Sequence, residues 1–265
     1  MTNISIGTSG YSYTEWVGPV YPKGTKAELY LDYYSTLFPT VELNFSYYRM
    51  PEASQLQAMH EKNKSLLFSI KAHESLTHTI NTTEWRTAAR TFCHAITPLL
   101  EADVLKAILL QFPYSFHYEP EQRRYLDALL RFLPNLPLAV EFRNGQWYNN
   151  RTLEALRKRQ VTLVALDLPA IQSSPPIMDV ITAPLTYLRL HGRNKETWWG
   201  SDAASRYDYL YTEKELAAIA ERVWALATNS SAVLVYFNNH RRGQAVQNAR
   251  SLQELMLLRK AQDEA

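Results

Sequence analysis

Residues 185–193 read LTYLRLHGR, an apolar and aromatic run that carries Arg189 within it and gives way to His191, Gly192 and Arg193. A run of this kind reads as a buried β-strand with a polar far end. Working outward in both directions, similar runs recur at Ile4–Ile6, Val41–Leu43, Leu66–Ile70, Ala107–Phe112, Leu138–Phe142, Thr162–Leu166 and Val233–Phe237. Segments with helical period separate most of them. That alternation produces parallel strands covered by an outer ring of helices. The chain has 265 residues, the usual size of one closed barrel. The expectation is therefore an α/β protein folded as a single (β/α)8 TIM-type barrel over residues 1–265.

The first helix is expected to start at Thr25, where Glu28 gives a capping-box spacing, and to carry Leu29, Tyr33 and Leu37 on one side. A second amphipathic stretch runs through Leu56 and Met59. Further helices are read over Asn81–Leu100, Pro120–Phe132, Thr152–Arg159, Thr212–Ala227 and Gln244–Lys260, with Thr212 and Glu215 repeating the capping spacing. Between the sixth and seventh strands, Ser173, Ser174, Pro175, Pro176 and Pro184 predict a loop. A second long loop, Gly192–Tyr211, carries Trp198, Trp199, Tyr207, Tyr209 and Tyr211 and is a candidate lid or substrate rim.

Hydrophobic residues make up 46% and charged residues 20%, enough apolar material for a core and incompatible with a disordered or fibrous chain. A formal charge of +2 and a pI near 8.5 give no electrostatic argument for nucleic acid or membrane. Cys93 is the only cysteine, so no intrachain disulfide can form, and its helical position reads as a packed thiol. The opening MTNISIG lacks the regions of a secretory signal, and no apolar run reaches bilayer length. The expected setting is soluble, reducing and cytoplasmic, without a membrane partner.

In a closed parallel barrel the strand ends converge on one rim, where such proteins keep their sites. Strand one leads into Thr8, Ser9, Gly10 and Tyr11. Strand two supplies Glu42 and Asn44, strand three Lys71 and His73, and strand four Gln111. Strand five supplies Glu141 and Arg143, strand six Asp167, strand seven Arg189, His191 and Arg193, and strand eight Asn238, Asn239 and His240. Charges inside otherwise apolar runs demand partners. One explanation is structural: Glu42, Glu141 and Asp167 neutralise Lys71, Arg143 and Arg189 as an internal network.

Three chemical readings stand beside it. Glu42 and Glu141, on separate strands, are the residue types of a glycosidase acid and base or nucleophile. Glu42, Glu141, Asp167, His191 and His240 are ligand types for a divalent metal, although no compact H-x-x-x-H or H-E-x-x-H spacing supports one, and no motif specifies a cofactor. Lys71, Arg143, Arg189 and Arg193, with backbone donors near Gly7–Gly10, suit an anion or phosphate site. Tyr11, Tyr13, Trp16, Tyr47, Tyr48, Trp147, Trp198 and Trp199 fall near strand-end loops and could stack on a sugar or base. Arg241 and Arg242 read as a solvated surface pair.

The segments IGTSGYSYTEWVGPVYP, YYSTLFPTVELNFSYYRMP, FSIKAHESLTH, LLQFP, AVEFRNGQW, ALDLP, YLRLHGR and VYFNNHRRGQAVQNA occur in that order along nearly the whole chain. In this the sequence resembles the DUF72 family of YecE-like proteins. The resemblance implies a β/α barrel and no established activity. By similarity the pocket residues are those named on the strand ends, apart from His73 and His240, together with Trp16, Tyr48, Thr77, His78 and Gly192. Phe45 stands where a small polar residue is expected and His240 where an acidic one is common.

The leading expectation is an enzyme of hydrolytic or lyase type acting on a small anionic, phosphate- or nucleotide-bearing substrate. In it Glu141 or Glu42 is the general base, His191 the acid or base partner, and Asp167 a further member of the catalytic set. Lys71, Arg143 and Arg189 hold the anion. Ser9, Tyr11, Trp16, Asn44, Tyr48, Gln111, Arg193, Asn238 and Asn239 complete the substrate contacts. A non-catalytic nucleic-acid or nucleotide binder and a carbohydrate-active enzyme using the Glu pair are the alternatives.

Overall fold

Side chains alternate between the two faces of a strand, so the phase of each run decides which residues enter the barrel and which meet the helices. In the computed structural model, which describes residues 2–172, 174–198 and 203–263, nine parallel strands form one sheet in the order β6-β5-β4-β3-β2-β1-β9-β8-β7. They are β1 Asn3–Ser9, β2 Thr40–Leu43, β3 Leu67–Lys71, β4 Leu105–Phe112, β5 Leu138–Phe142, β6 Thr162–Leu163, β7 Ala165–Asp167, β8 Leu185–Leu190 and β9 Ala232–Phe237. β6 and β7 are the two halves of the predicted sixth strand, divided at Val164. The first half pairs with β5 and the second with β8. One bent segment thus joins both edges of the sheet and nearly closes the barrel, as the fold class read from the sequence requires.

The helices are α1 Tyr30–Ser35, α2 Phe45–Tyr48, α3 Ala53–Lys62, α4 Trp85–Glu101, α5 Pro120–Phe132, α6 Asn150–Arg159, α7 Ala203–Arg206, α8 Glu213–Ala227 and α9 Gln244–Asp263. The capping box at α8 forms: Thr212 Oγ1 accepts from the Glu215 amide at 3.3 Å, and the Glu215 carboxylate accepts from the Thr212 amide at 2.9 Å. The one expected at Thr25 does not. Its hydroxyl bonds back to the Pro22 carbonyl at 2.7 Å, and a 3-10 turn over Ala27–Leu29 precedes α1. A 3-10 turn has about 3.0 residues per turn against about 3.6, so the buried face moves. Tyr30, Leu31 and Tyr34 are buried, while Leu29 and Tyr33 lie on the surface.

Two apolar clusters follow the strand phase. Ile6, Val41, Leu43, Phe68, Ile70, Ile108, Leu110, Val140 and Phe142 pack between strands and helices. Ala107, Leu109, Ala139, Val164, Leu166, Tyr187, Leu234 and Tyr236 fill the barrel. Tyr236 crosses the interior, with its hydroxyl 2.6 Å from Thr40 Oγ1 and 2.9 Å from Ser69 Oγ. Gly7 shares this interior phase, and a Cβ there would overlap the Thr40 carbonyl, so the close approach of β1 to β2 excludes a side chain.

Extending the inward phase toward the C-terminal strand ends selects Ser9, Glu42, Asn44, Lys71, Gln111, Glu141, Arg143, Arg189, His191 and Asn238. Asp167 lies on the opposite phase from Leu166. It therefore faces the outer layer. Among the described residues, no helix is long and apolar enough to cross a membrane.

Candidate functional site

Arg189 enters the barrel near the C-terminal end of β8, and its guanidinium meets both buried glutamates. Its Nε donates to Glu42 Oε2 at 2.9 Å, its Nη2 to Glu42 Oε1 at 2.7 Å, and its Nη1 to Glu141 Oε2 at 2.6 Å. Glu42 also accepts from the hydroxyls of Ser9 and, at 2.6 Å, Tyr187. Glu141 accepts from Arg143 Nε at 2.5 Å. Asn44 Nδ2 donates to Ser9 Oγ at 2.7 Å, which ties the end of β2 to β1. Both carboxylates are wholly buried. Buried charges persist when paired and hydrogen-bonded on all sides, and this cluster meets that requirement.

The electrostatics follow from these partners. Burial alone would raise the Glu141 carboxyl, but Arg143, Arg189 and His191 override it and hold it well below the usual carboxylate range. Burial works against charge on Arg189, yet Glu141 and Glu42 raise its pKa well above the ordinary value. His191 is pushed down to about 3, first by burial and then by Arg143, so it is neutral near pH 7. Its Nδ1 lies 2.9 Å from Asn238 Nδ2, which can only donate, so Nε2 carries the proton and faces Glu141 Oε1 at 3.5 Å.

Above this ionic layer lies a cleft of about 600 Å³, reached by Lys71, Gln111, Arg143, Arg189, Asn44 and Asn238, with walls from Tyr11, Tyr13, Phe45, Tyr48, Tyr207 and His240. Lys71 Nζ donates to Gln111 Oε1 at 2.8 Å and sits 4.0 Å from the centre of the Tyr47 ring. Both glutamates are taken by arginines, and Lys71 has no ion-pair partner among the described residues. Burial, then the charge of Arg189, pushes its amine down to about 7, against the weaker pull of Glu141 and Glu42. Arg143 lies against Trp198 at 5.6 Å and touches the His191 ring through Nη2, leaving Nη1 without a partner among the described residues. A larger groove of about 880 Å³ at the opposite end of the barrel is lined mainly by Ile4, Ile6, Trp224, Met256 and Leu257 and lacks this polar convergence.

Several predicted site residues are engaged elsewhere. Asp167 accepts from Arg193 Nη2 at 2.7 Å, Arg193 Nε at 2.9 Å and the Tyr211 hydroxyl at 2.7 Å, while Arg193 Nη1 reaches Glu215 at 3.0 Å. This clamp fastens the loop after β8 to the start of α8. Gly192, with φ +87 and Tyr209 Cβ 2.7 Å from where its own Cβ would lie, makes the turn that leads there. Asn239 bonds the Tyr209 carbonyl and Asn248, outside the cleft. Trp16 and Trp147 are buried: the Trp16 indole donates to the His240 carbonyl at 2.7 Å, and Trp147 stacks on Phe142 at 4.5 Å. Trp198 is also buried, under Arg143, and Trp199 and Ser173 lie outside the described residues. His240 stacks on Tyr13 at 4.6 Å.

Among the described residues no group of three His, Cys, Asp or Glu side chains could hold a metal; Asp167 and His240 stand apart from the glutamates. Arg242 is exposed, but Arg241 is half-buried with Nη1 3.7 Å from Glu15, which corrects the surface-pair reading for that residue. Burial raises the half-buried Cys93 thiol above its ordinary value. Tyr187, a direct partner of Glu42, was not among the expected residues; it precedes Arg189 by one strand repeat, and that phase was the available signal.

A β/α barrel with a saturated Glu–Arg–Glu cluster beneath a strand-end cleft defines the class of protein. The model of the family described as "Protein of unknown function DUF72" matches residues 5–265, and the chain belongs to that family. It is 29% identical over 269 residues to the UPF0759 protein YunF of Bacillus subtilis, covering 96% of this chain and 94% of that one. Among solved structures, a DUF72 family protein from Thermotoga maritima superposes with TM-score 0.89 at 35% identity, covering 96% of this chain and 99% of that one. One from Enterococcus faecalis gives TM-score 0.85 at 28% identity, covering 96% and 95%.

Proposed function

We propose that the protein is an enzyme of hydrolase or lyase type that takes a small anionic, phosphate- or carboxylate-bearing substrate in the strand-end cleft. The observation that carries this reading is the division of the cations. Arg189 spends its donors on Glu42, Glu141 and Ser9, whereas Lys71 and Arg143 reach the cleft with donors to spare. Arg143 then holds the anion, with Asn238 beside it, and Lys71 brings to the same cleft an amine depressed to about 7. Glu42, Glu141 and His191 are positioning residues in this scheme, since they set the guanidiniums and do not line the cleft. Asp167 and Arg193 fasten the neighbouring loop.

The carbohydrate reading is not carried forward. A glycosidase needs two carboxyls that reach the sugar, whereas Glu42 and Glu141 are both bonded to arginines and neither lines the cleft. The test is a thermal-shift screen of phosphorylated and carboxylated metabolites against wild type, Lys71→Met and Arg143→Gln. A stabilising ligand whose effect falls on both substitutions is expected. If both variants respond to every such ligand as wild type does, the anion role is wrong.

A further inference from the structure

A lysine that serves as an anion holder should be charged, and the surroundings of Lys71 work against charge. Its burial and the nearby guanidiniums of Arg189 and Arg143 depress the amine to about 7, so about half is neutral at neutral pH. The carboxylates that would keep it protonated are already committed: Glu42 to Arg189, Glu141 to Arg189 and Arg143. Its hydrogen-bond partner is a neutral amide oxygen, that of Gln111. The amine lines the cleft, where a ligand can reach it. An unpaired, desolvated amine beside cationic groups is the arrangement that makes lysine a nucleophile toward carbonyl carbon. Arg143, which lines the same cleft and whose Nη1 has no partner among the described residues, remains to take a negative group.

From this juxtaposition we propose that Lys71 forms an imine with a small aldehyde or ketone that also bears a carboxylate or phosphate held by Arg143. The proposal rests on the anion-binding reading above and names its substrate class. In the step, the Nζ lone pair forms the C–N bond while the carbonyl π pair moves to oxygen. The two N–H protons of the neutral amine and that oxygen then leave as one water, so no oxidant or reductant is needed. The imine withdraws electrons from the adjacent carbon, which suits proton abstraction or carbon–carbon cleavage there.

The test is reductive trapping on the wild-type protein at pH 7 with sodium cyanoborohydride. Glyoxylate and glyceraldehyde 3-phosphate serve as carboxylate and phosphate probes, propionaldehyde as the uncharged one, with adducts located by peptide mass mapping. Lys71 should be labelled on the order of tenfold faster than the exposed lysines, which are almost wholly protonated at this pH. An anionic aldehyde should outpace propionaldehyde, and inorganic phosphate should slow it. Labelling that spares Lys71, while an anion still stabilises wild type and not Arg143→Gln, overturns the imine and leaves the anion site standing. Equal labelling of Lys71 by propionaldehyde and both anionic probes overturns the anionic substrate class and the reading beneath it.

Discussion

Replacing Arg189 by Met removes the guanidinium that touches both buried glutamates and leaves Glu42 without a cationic partner among the described residues. The lost contacts are donors at 2.9, 2.7 and 2.6 Å to carboxylate oxygens that see no solvent. Breaking a buried pair from one side costs about 3–5 kcal/mol, because the remaining charge stays buried and unpaired. For a chain of this size that corresponds to a melting point lower by about 6–20 °C. The loss must also depend on pH. In wild type Glu141 is held well below its unfolded pKa, so its contribution is present above the unfolded value and disappears as pH falls through the folded one. Without Arg189 the Glu141 carboxyl loses part of what holds it down, so burial raises it and protonation at low pH relieves the cost of its charge. The deficit of Arg189→Met should therefore be largest at pH 8 and shrink by pH 5, and adding Glu42→Gln should recover part of it. Denaturant unfolding followed by circular dichroism at both pH values measures this. A variant within about 1 kcal/mol of wild type at pH 8, or a deficit equal at both pH values, would refute the account of the cluster.

Three further outcomes follow from the same geometry. Lys71→Met should stabilise the fold below pH 7, where wild type must bury a cation, and the gain should fade as pH rises toward the unfolded lysine value; a gain that grows with pH would contradict the depressed amine. Asp167→Asn should loosen the loop after β8 and speed its proteolysis while leaving anion binding in the cleft unchanged; lost binding would place Asp167 in the site after all. Thr212→Ala should lower stability by about 1 kcal/mol through loss of the capping box, read as a drop in melting temperature, and an unchanged melt would mean the cap contributes nothing.

The contrast between Asp167 and Glu141 shows how far strand phase carries. Both end strands, and both read as rim carboxylates. Counting alternate positions from Leu166 and from Ala139 separates them: Asp167 is out of phase with the barrel interior and Glu141 is in phase. The same count sends Asn239 to α9 and Asn238 into the cleft. At Thr25 local pattern failed for a different reason. Several backbone paths satisfy the same spacing, and burial of Tyr30, Leu31 and Tyr34 decided between them. The rim aromatics behave likewise, since Trp16 and Trp147 stand beside strand-end loops in sequence yet are drawn inward by packing against Tyr21 and Phe142.

The sequence by itself determined the barrel and the strands whose ends meet at its rim. Strand and helix periods are local consequences of backbone geometry, and closure of a parallel sheet brings every strand end to one face. Which charges meet was decided only by tertiary structure. Arg189 lies 147 residues from Glu42 and 48 from Glu141, and no spacing rule connects partners on three separate strands. Those pairings depend on side-chain reach across a finished barrel, where leaving any carboxylate unpaired would cost several kcal/mol. The arginines therefore take both glutamates, and Lys71 is left on the cleft with the amide oxygen of Gln111 as its hydrogen-bond partner.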